Sequence, residues 1–351
     1  MHMLHQTIQA IQPLDQAAMD QALARQAELT KPAGSLGRLE SLSVQIAGMT
    51  GQINPPLTHR AVIVAAGDHG ITAEGVSAFP SAVTPQMVLN FLNGGAAINV
   101  LAQQAGARVI VLDAGVAAEL PSHANLINAK VAYGTNNSAI GPAMTRDQAV
   151  QAVEAGIKVV TEECQKGLQL VGTGDMGIGN TTPSSAICAV MTKTDVADVT
   201  GRGTGIDYPR WQHKVEVINR AIAVNQPDAN DPLDVLAKVG GFEIGAIAGI
   251  ILGAAAHRVP VLIDGFISTA GALIAAGLAP LSRDYMIAAH RSVEPGHQIM
   301  QKHLDLQPIF HLDLRLGEGT GAALAMPVVA SAVALLNQMA TFADANVSGK
   351  L

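Results

Sequence analysis

Aromatic residues and charged residues are both scarce in this sequence. Of the 351 residues, 3% are aromatic and 14% are charged, and the formal net charge is −7. Proteins that bind single-stranded nucleic acid stack bases on aromatic side chains, and most nucleic-acid interfaces carry clustered Lys and Arg. The 21 Lys and Arg are instead dispersed along this chain. We therefore expect no nucleic-acid partner.

Cysteine is equally scarce. Cys164 and Cys188 are the two cysteines, and their spacing fits neither a zinc site nor a disulfide framework. Residues 1–30 carry no basic segment followed by an apolar core and a cleavage site, which a secretory signal would need. Both observations predict a protein of the reducing cytoplasm.

Long hydrophobic runs are lacking as well. The most apolar stretch, from Ile244 to Ala256, has thirteen residues, whereas a helix needs about 20 residues to cross a bilayer. Two charged or titratable residues, His257 and Arg258, follow it directly. The chain as a whole is 49% hydrophobic with a mean hydropathy of +0.29, which is far from a disordered composition. We predict a globular protein with a buried helix here and no membrane span.

Short apolar runs rich in β-branched residues recur along the chain, and polar or glycine residues follow each one. They cover residues 61–66, 108–112, 168–172, 259–263, 285–289 and 309–314. Helix-length segments lie between them, at residues 83–104, 145–165, 209–223 and 242–256. Continuous apolar strands that alternate with helices are typical of a parallel sheet covered on both faces. Such sheets bind ligands at the carboxyl ends of their strands, where these polar residues fall.

The two ends of the chain have a helical pattern instead. Residues 16–29 are rich in helix-favouring Ala, Gln and Met, and a second apolar helical face follows between residues 36 and 46. Residues 327–340 are apolar almost all round, and Pro327 is acceptable in the first turn of a helix. We predict a small helical domain built from residues 1–55 and 327–351, beside a large α/β domain of residues 56–326.

One carboxylate lies among three glycines in the segment Arg315-Leu316-Gly317-Glu318-Gly319-Thr320-Gly321. Glycine lets the backbone adopt conformations closed to other residues and approach a ligand closely. Partial burial raises the pKa of a carboxyl group, and a flexible support lets it reach the proton that it removes. We predict that Glu318 is a general base. The plainer alternative is an exposed loop acid beside turn glycines.

A second Gly-rich segment, GTGDMGIGNTT at residues 172–182, follows a predicted strand and precedes a predicted helix. Glycines at such a turn expose backbone N–H groups at the positive end of the helix, which suits a phosphate. The Gly-Lys-Ser/Thr ending of a Walker A loop is lacking, and a tight strand-to-helix connection is the plainer interpretation. Lys214 follows a third Gly-rich loop and is either a solvated helix residue or a phosphate contact.

Other catalytic arrangements have little support. Asp68 and His69 could form a metal-binding pair, or they are a capping aspartate and a hydrogen-bonded histidine at a strand end. The other histidines are spread over separate segments and offer no ligand triad. No Ser-His-Asp order or nucleophile elbow is present. We expect no metal ion, no cofactor and no covalent intermediate.

Seven segments together resemble the nicotinate-nucleotide:dimethylbenzimidazole phosphoribosyltransferase family, which makes the lower-ligand nucleotide of cobalamin. They occur in the family's order and span nearly the whole chain. They are KPAGSLGRLE (31–40), GDHGITAEGV (67–76), GTGDMGIGNTTPSSA (172–186), AIAVNQP (221–227), KVGGFEIGAIAG (238–249), PVLIDGF (260–266) and RLGEGTGAALAMP (315–327). The resemblance implies a Rossmann-like parallel sheet, a small helical domain built from both termini, and a homodimer.

The resemblance also implies roles for individual residues, with Glu318 as the general base. Phosphate and ribose contacts would come from Gly177, Asn180, Thr181, Thr182, Gly203, Lys214, Asp264, Gly265 and Ser292. The pocket for the incoming base would include Phe79, Pro80, Gln86, Met87 and Leu316. Asp175 would place a second anion beside the sugar. Many family members carry the longer Glu at that position, and some carry polar residues near Phe79 and Met87.

The reaction implied is transfer of phosphoribose from nicotinate mononucleotide to dimethylbenzimidazole, with inversion at C1′ and release of nicotinate. The leaving ring nitrogen needs no general acid because it starts as a pyridinium. The incoming benzimidazole must lose one proton, so one base is needed. Two alternatives stay open. One is a transferase of the same fold that uses another azole, purine or phenolic acceptor, and the other is a non-catalytic nucleotide-binding regulator.

Overall fold

The computed structural model describes residues 2–348, and one six-stranded sheet lies at its centre. The strands are β1 (Arg60–Gly67), β2 (Ala107–Gly115), β3 (Leu126–Asn128), β4 (Leu170–Met176), β5 (Val261–Ile263) and β6 (Met286–Ala288). Their order in the sheet is β3-β2-β1-β4-β5-β6, and neighbouring strands are parallel throughout. The predicted α/β fold with a Rossmann-like parallel sheet is confirmed.

Helices connect the strands and cover the sheet. They are α1 (His2–Ala10), α2 (Gln16–Glu28), α3 (Arg38–Thr50), α4 (Val83–Leu92), α5 (Ala97–Gln104), α6 (Arg146–Gln165), α7 (Thr181–Thr192), α8 (Val196–Val199), α9 (Tyr208–Asn225), α10 (Pro232–Val239), α11 (Phe242–Ala256), α12 (Phe266–Leu278), α13 (Pro295–His303) and α14 (Thr320–Gln338). Two 3-10 helices cover Gly70–Glu74 and Pro280–Tyr285. One group of helices packs α11 between α6, α12 and the sheet, and another packs α14 between α3, α5 and the sheet.

Helix α11 is the centre of the first group. Its first fourteen residues are all buried, as its uniformly apolar sequence predicted. It crosses α6 at a pair of glycines that lets the two backbones touch. A side chain at Gly156 of α6 would overlap the carbonyl oxygen of Ala246, and one at Gly249 of α11 would overlap that of Val153. α11 also contacts β1, β2 and β4, and α6 contacts β2.

The structure corrects several predicted boundaries. The strand expected at residues 168–172 runs through Met176, so it reaches further into the Gly-rich segment. The run at 309–314 forms no strand and contributes one bridge between His290 and Phe310. The helix expected over residues 83–104 is two helices, α4 and α5, because Gly94 takes a φ of +76° between them.

The helices from the two ends of the chain pack together. α3 contacts both α2 and α14, and a small apolar cluster joins Ala22, Ala47 and Leu336. The guanidinium group of Arg25 donates to the carbonyl oxygens of Leu336 at 2.7 Å and Asn337 at 3.2 Å. These contacts support the predicted small helical domain, but its boundaries stay a prediction. Residues 349–351 of that domain lie outside the described residues.

Helix α14 differs most from expectation. It begins at Thr320, so Pro327 lies inside the helix and not in its first turn. Its length of 19 residues and its apolar composition would allow it to cross a membrane, whereas the helix that contains the stretch at 244–256 is shorter. Its Ala322, Met326 and Val329 are fully buried, and it packs against β4, α3 and α5. In this fold α14 is a core helix.

Candidate active site

The carboxyl ends of three neighbouring strands bring polar side chains to one edge of the sheet. Asp68 and His69 follow β1, Asp175 lies near the end of β4, and Asp264 follows β5. All four residues are at most 5% exposed. The strand order reverses at β1 and β4, and open α/β sheets bind ligands in the crevice at such a point. This edge is therefore the candidate active site.

Glu318, the predicted general base, is carried by a loop of three successive left-handed residues. The φ angle is +81° at Gly317, +64° at Glu318 and +88° at Gly319. A residue with a Cβ pays about 1–2 kcal/mol for this conformation, so the surroundings must hold Glu318 in it. Its Oε2 accepts a long hydrogen bond of 3.4 Å from the backbone N–H of Ile98 in the first turn of α5. Glu318 is 5% exposed, and the alternative of an exposed loop acid is wrong.

Burial makes Glu318 a better proton acceptor. It raises the pKa of the carboxyl group above its ordinary value, although the N–H of Ile98 acts in the opposite direction. A general base is most effective when its pKa lies close to the working pH. The predicted direction of this pKa shift is confirmed.

Asp264 holds the loop that carries Glu318. Its Oδ2 accepts the N–H of Gly319 at 3.2 Å, and its Oδ1 accepts the N–H of Ala322 at 2.9 Å at the start of α14. Burial raises the pKa of Asp264 to about 7, even though these N–H groups favour the charged form. Both oxygens are thus engaged by the protein. The predicted contact between Asp264 and a substrate stays a prediction, and its visible role is to position Glu318.

Asp175 lies beside the same loop and keeps one oxygen free. Its Oδ2 accepts from the side-chain amide of Asn180 at 3.0 Å, whereas Oδ1 is buried with no hydrogen-bond partner among residues 2–348. A side chain at Gly317 would come within 3.0 Å of both oxygens. Burial and then the charge of Asp264 raise the pKa of Asp175 well above its ordinary value. The free oxygen can accept a hydrogen bond from a hydroxyl group, or it can face a developing positive charge.

The Gly-rich segment is divided between a strand and a turn. Gly172 and Gly174 lie inside β4, where Gly174 leaves room for the loop: a Cβ there would lie 2.6 Å from the carbonyl oxygen of Glu318. The turn that leads into α7 contains Gly177 and Gly179, the latter with a φ of +87°. The predicted strand ends at Gly172, so the placement of Gly174 in the turn is wrong, and Gly172 and Gly174 both allow close packing.

A second group of predicted contacts surrounds the ammonium group of Lys214. Lys214 is 1% exposed, and its Nζ donates to the hydroxyl of Thr181 at 2.7 Å. Gly203 covers this pair, since a Cβ there would lie 2.7 Å from the Thr181 Oγ1 and 3.3 Å from the Lys214 Nζ. Burial lowers the pKa of Lys214 to about 8. A solvated lysine is therefore the wrong interpretation, and a buried ammonium group at a helix N-terminus suits an anion.

The remaining predicted contacts lie around these two groups. Gly265 is the residue before α12, Ser292 is buried, and Thr182 is fully buried with a hydroxyl that finds no partner within the described chain. The Ser292 hydroxyl accepts the N–H of Glu294 at 3.4 Å. Sequence reasoning did not single out Glu294, which is 7% exposed. Its position shortly after β6 is the signal that could have found it.

His69 forms a buried ion pair at the floor of the crevice. Its Nε2 lies 2.8 Å from the Oε1 of Glu243 in the first turn of α11. Burial would lower the pKa of His69, but the charges of Glu243 and Asp68 outweigh it and raise that pKa. The hydrogen-bonded histidine of the plainer interpretation is thus observed. Asp68 does not cap the following turn, because its Oδ2 accepts the N–H of Ala117.

The residues predicted for the acceptor pocket are the most exposed of the set. Phe79 is 54% exposed and Leu316 57% exposed, and Pro80 and Gln86 are also exposed, whereas Met87 is half-buried on α4. Two hydrogen bonds connect the loops of Phe79 and Leu316 to the loop at residues 203–204. The N–H of Ala78 donates to the Thr204 hydroxyl at 3.0 Å, and the Arg315 guanidinium donates to the Gly203 carbonyl at 3.2 Å.

The arrangement combines three chemical capacities. A buried carboxylate on a constrained loop can accept a proton. A buried ammonium group beside a Gly-rich turn and the start of α7 can hold a phosphate. Between them, a carboxyl group with one free oxygen can stabilise positive charge on a sugar carbon.

Comparisons with known proteins agree with this chemistry. A family model described as phosphoribosyltransferase matches residues 11–347. Two relatives are named nicotinate-nucleotide–dimethylbenzimidazole phosphoribosyltransferase. The protein from Roseiflexus sp. (strain RS-1) is 61% identical over 100% of this chain and 99% of its own length. The protein from Desulforudis audaxviator is 59% identical over 99% of both chains. The crystal structure of the enzyme of that name from Thermus thermophilus has a TM-score of 0.91 and 46% identity, covering 96% of this chain and all of its own.

Proposed function

Because this chain belongs to the nicotinate-nucleotide–dimethylbenzimidazole phosphoribosyltransferase family, we infer that it transfers phosphoribose from nicotinate mononucleotide to 5,6-dimethylbenzimidazole. The products are α-ribazole phosphate and nicotinate, and the pathway is assembly of the cobalamin nucleotide loop. The chain is a pentosyltransferase. Relatives of the same name at 61% and 59% identity over nearly their whole length favour this function over the two alternatives.

The proposed mechanism assigns one task to each group of residues. Lys214, Thr181 and Gly203 hold the phosphate of the donor, together with the turn at Gly177 and the hydroxyl of Ser292. The C1′–nitrogen bond to nicotinate breaks, and the ring leaves with its bonding electron pair as a neutral pyridine. The free oxygen of Asp175 faces C1′, and the ionised form of this carboxyl group stabilises the positive charge that develops there.

Glu318 acts on the acceptor. One benzimidazole nitrogen forms the new bond to C1′ from the face opposite nicotinate, which inverts that carbon. Glu318 removes the proton from the other ring nitrogen, so the product leaves with a neutral ring. Phe79, Pro80, Gln86, Met87 and Leu316 would line the acceptor pocket, and Asn180, Thr182, Asp264 and Gly265 would complete the donor site.

The observation that carries this mechanism is the position of Glu318. It is buried on a left-handed loop whose backbone rests against both Asp175 and Gly174. A carboxylate would gain nothing from this strained placement in a non-catalytic regulator, whereas a base must be held near the reacting atoms.

The test is an assay of nicotinate release with a panel of acceptors, including dimethylbenzimidazole, adenine and a phenol. We expect release that depends on an acceptor and is fastest with dimethylbenzimidazole. Fastest release with another acceptor would identify the same-fold alternative, and no release with any acceptor would favour a regulator.

The molecular context is also a proposal. We propose a cytoplasmic homodimer with the small helical domain of residues 1–55 and 327–351. The two free cysteines support a reducing compartment, and exposed large apolar side chains away from the proposed pocket residues, such as Val100 and Ile140, support a partner surface. Light scattering coupled to gel filtration gives the mass in solution, and a mass of one chain would exclude the dimer.

A further inference from the structure

Gly203 is a point of contact between the donor site and the loop that carries the base. Its backbone N–H donates to the Oε1 of Glu294 at 3.1 Å, and its carbonyl oxygen accepts from Arg315 at 3.2 Å. Its α-carbon faces Lys214 and Thr181. Gly203 thus contacts the proposed phosphate-binding residues Lys214 and Thr181 on one side. On the other side it contacts Arg315, the first residue of the segment that carries Glu318.

Glu294 is built tightly into this arrangement. A side chain at Gly201 would overlap the Glu294 carboxylate, so the loop at residues 200–205 closes directly over it. The Oε2 atom is buried and has no hydrogen-bond partner within the described chain. Glu294 also lines a cavity of about 620 Å³, together with Arg202, Trp211 and Arg315. A buried carboxylate costs free energy unless nearby positive charge compensates it.

That compensating charge comes from Lys214. Each side chain acts electrostatically on the other: Glu294 stabilises the ammonium form of Lys214, and Lys214 favours the ionised form of Glu294. Arg315 adds a second positive charge toward Glu294, and Arg202 lines the same cavity. Charged side chains also lie on two helices packed against α9, the helix that carries Lys214. Asp234 and Lys238 of α10 pair with each other at 2.9 Å, and Asp198 of α8 is exposed.

We propose that Glu294 is a positioning residue of the donor site, which fixes Gly203 over Lys214 and keeps the Lys214 ammonium group charged for the phosphate of nicotinate mononucleotide. The proposal rests on the proposed function for the identity of the ligand. Glu294 itself repels phosphate, so its contribution acts through Lys214 and Gly203. The sequence conceals this role, since Glu294 lies 80 residues after Lys214 in the chain.

The experiment compares Glu294→Gln, Glu294→Ala and the wild-type protein by calorimetric titration with nicotinate mononucleotide at a series of pH values. In the wild type, Kd should rise as pH rises through about 8, because Lys214 loses its proton. Glu294→Gln keeps an oxygen for Gly203 but removes the negative charge, so this rise should occur about one pH unit lower. Glu294→Ala also loses the hydrogen bond, and its Kd should be about tenfold higher at neutral pH.

Controls separate this effect from general damage. The same ligand is used throughout, so titration of its own phosphate is common to all curves. Glu216→Gln removes an exposed carboxylate from the helix that carries Lys214 and should reproduce the wild-type curve. A wild type that binds, with a Glu294→Gln curve that superimposes on it, overturns this inference alone. A wild type that binds no nicotinate mononucleotide overturns the proposed function and this inference with it.

Discussion

At the scale of single residues, the site is built from groups that are costly to bury. Glu318, Asp175, Asp264 and Lys214 are each at most 5% exposed, and burial shifts the pKa of every one of them toward its neutral form. Such shifts cluster at functional sites because a base or a phosphate-binding group needs a tuned pKa. Glu318 and Lys214 each lead to a separate prediction.

Glu318→Gln should reduce kcat at least about 100-fold while the KM for nicotinate mononucleotide changes little, because the amide fills the same space but cannot accept the proton. Steady-state assays of nicotinate release give both constants. Asp313→Asn is the control, since Asp313 is a strongly exposed acid shortly before the same loop, and it should behave as wild type. Near-normal turnover of Glu318→Gln would exclude Glu318 as the base.

The pH dependence of kcat/KM for the donor should be bell-shaped. On the acid side Glu318 must be ionised to act, so activity falls as pH drops through its raised pKa. On the alkaline side Lys214 must be charged to hold the phosphate, so activity falls as pH rises through about 8.

Lys214→Arg provides the matched test of the alkaline side. A guanidinium group stays charged at all working pH values, so the alkaline fall should disappear while the acid side is unchanged, even if the maximum is lower. An alkaline fall at the same pH in this variant would show that another group titrates there.

At the scale of elements, helices α6 and α11 cross in close contact beside the sheet. Gly156 and Gly249 permit backbone contact, and the N-terminal turn of α11 supplies Glu243 to His69 under the crevice. The position of this buried pair beside the candidate site therefore depends on a contact between helices further along α11.

Gly249→Ala should lower the free energy of unfolding by about 2–3 kcal/mol, because the added methyl group forces the two helices apart. Gly253→Ala on the same helix meets its nearest neighbour, the α-carbon of Ile157, at 3.3 Å. It should be close to neutral, since alanine favours helix by about 1 kcal/mol over glycine. Denaturant unfolding of both variants measures the difference, and equal losses would contradict the close crossing.

At the scale of the whole molecule, the proposed donor site is assembled from segments distant in sequence. The loop at 77–79 is joined to Thr204, and Gly203 is joined to Arg315, so loops from three parts of the chain form one row. Binding of a ligand at Lys214 should therefore restrain loops well beyond the residues that contact its phosphate.

Nicotinate mononucleotide should slow amide hydrogen exchange in all three loops, at Ala78, Gly203 and the segment around Glu318, because closing one loop restrains its neighbours. Mass spectrometry of exchanged peptides measures this protection. The turn at residues 228–231 serves as the internal control and should not change. Protection confined to residues 177–182 would contradict the coupling of the loops.

Much of this molecule could be predicted from its sequence, for physical reasons. Buried parallel strands are continuously apolar, so the runs at 61–66, 108–112 and 259–263 indicate them directly. The carboxyl-end rule then places Asp175 and Asp264 at one edge. Glu318 is identifiable because its neighbouring glycines mark an unusual backbone.

The errors have physical causes too. Periodicity could not show that Gly174 lies within a strand, since glycine is usual in turns and the packing role of Gly174 depends on the loop at 317–319. Lys214 resembled a solvated residue because its neighbours in the fold, among them Thr181 and Gly203, come from other segments of the chain. Glu294 lies 80 residues after Lys214 and Glu243 lies 174 residues after its partner His69, and one sequence does not reveal such pairings.

The contrast in exposure between the two halves of the site has an evolutionary consequence. The proposed donor groups and the base are locked into the core, where most substitutions cost stability. Phe79 and Leu316 stand more than half exposed, where a change usually costs less than about 0.5 kcal/mol. If Phe79 and Leu316 line the acceptor pocket as proposed, selection can alter the range of accepted bases by replacing a few rim residues while the proposed donor site stays fixed. Laboratory evolution aimed at new benzimidazole analogues should begin at these rim positions.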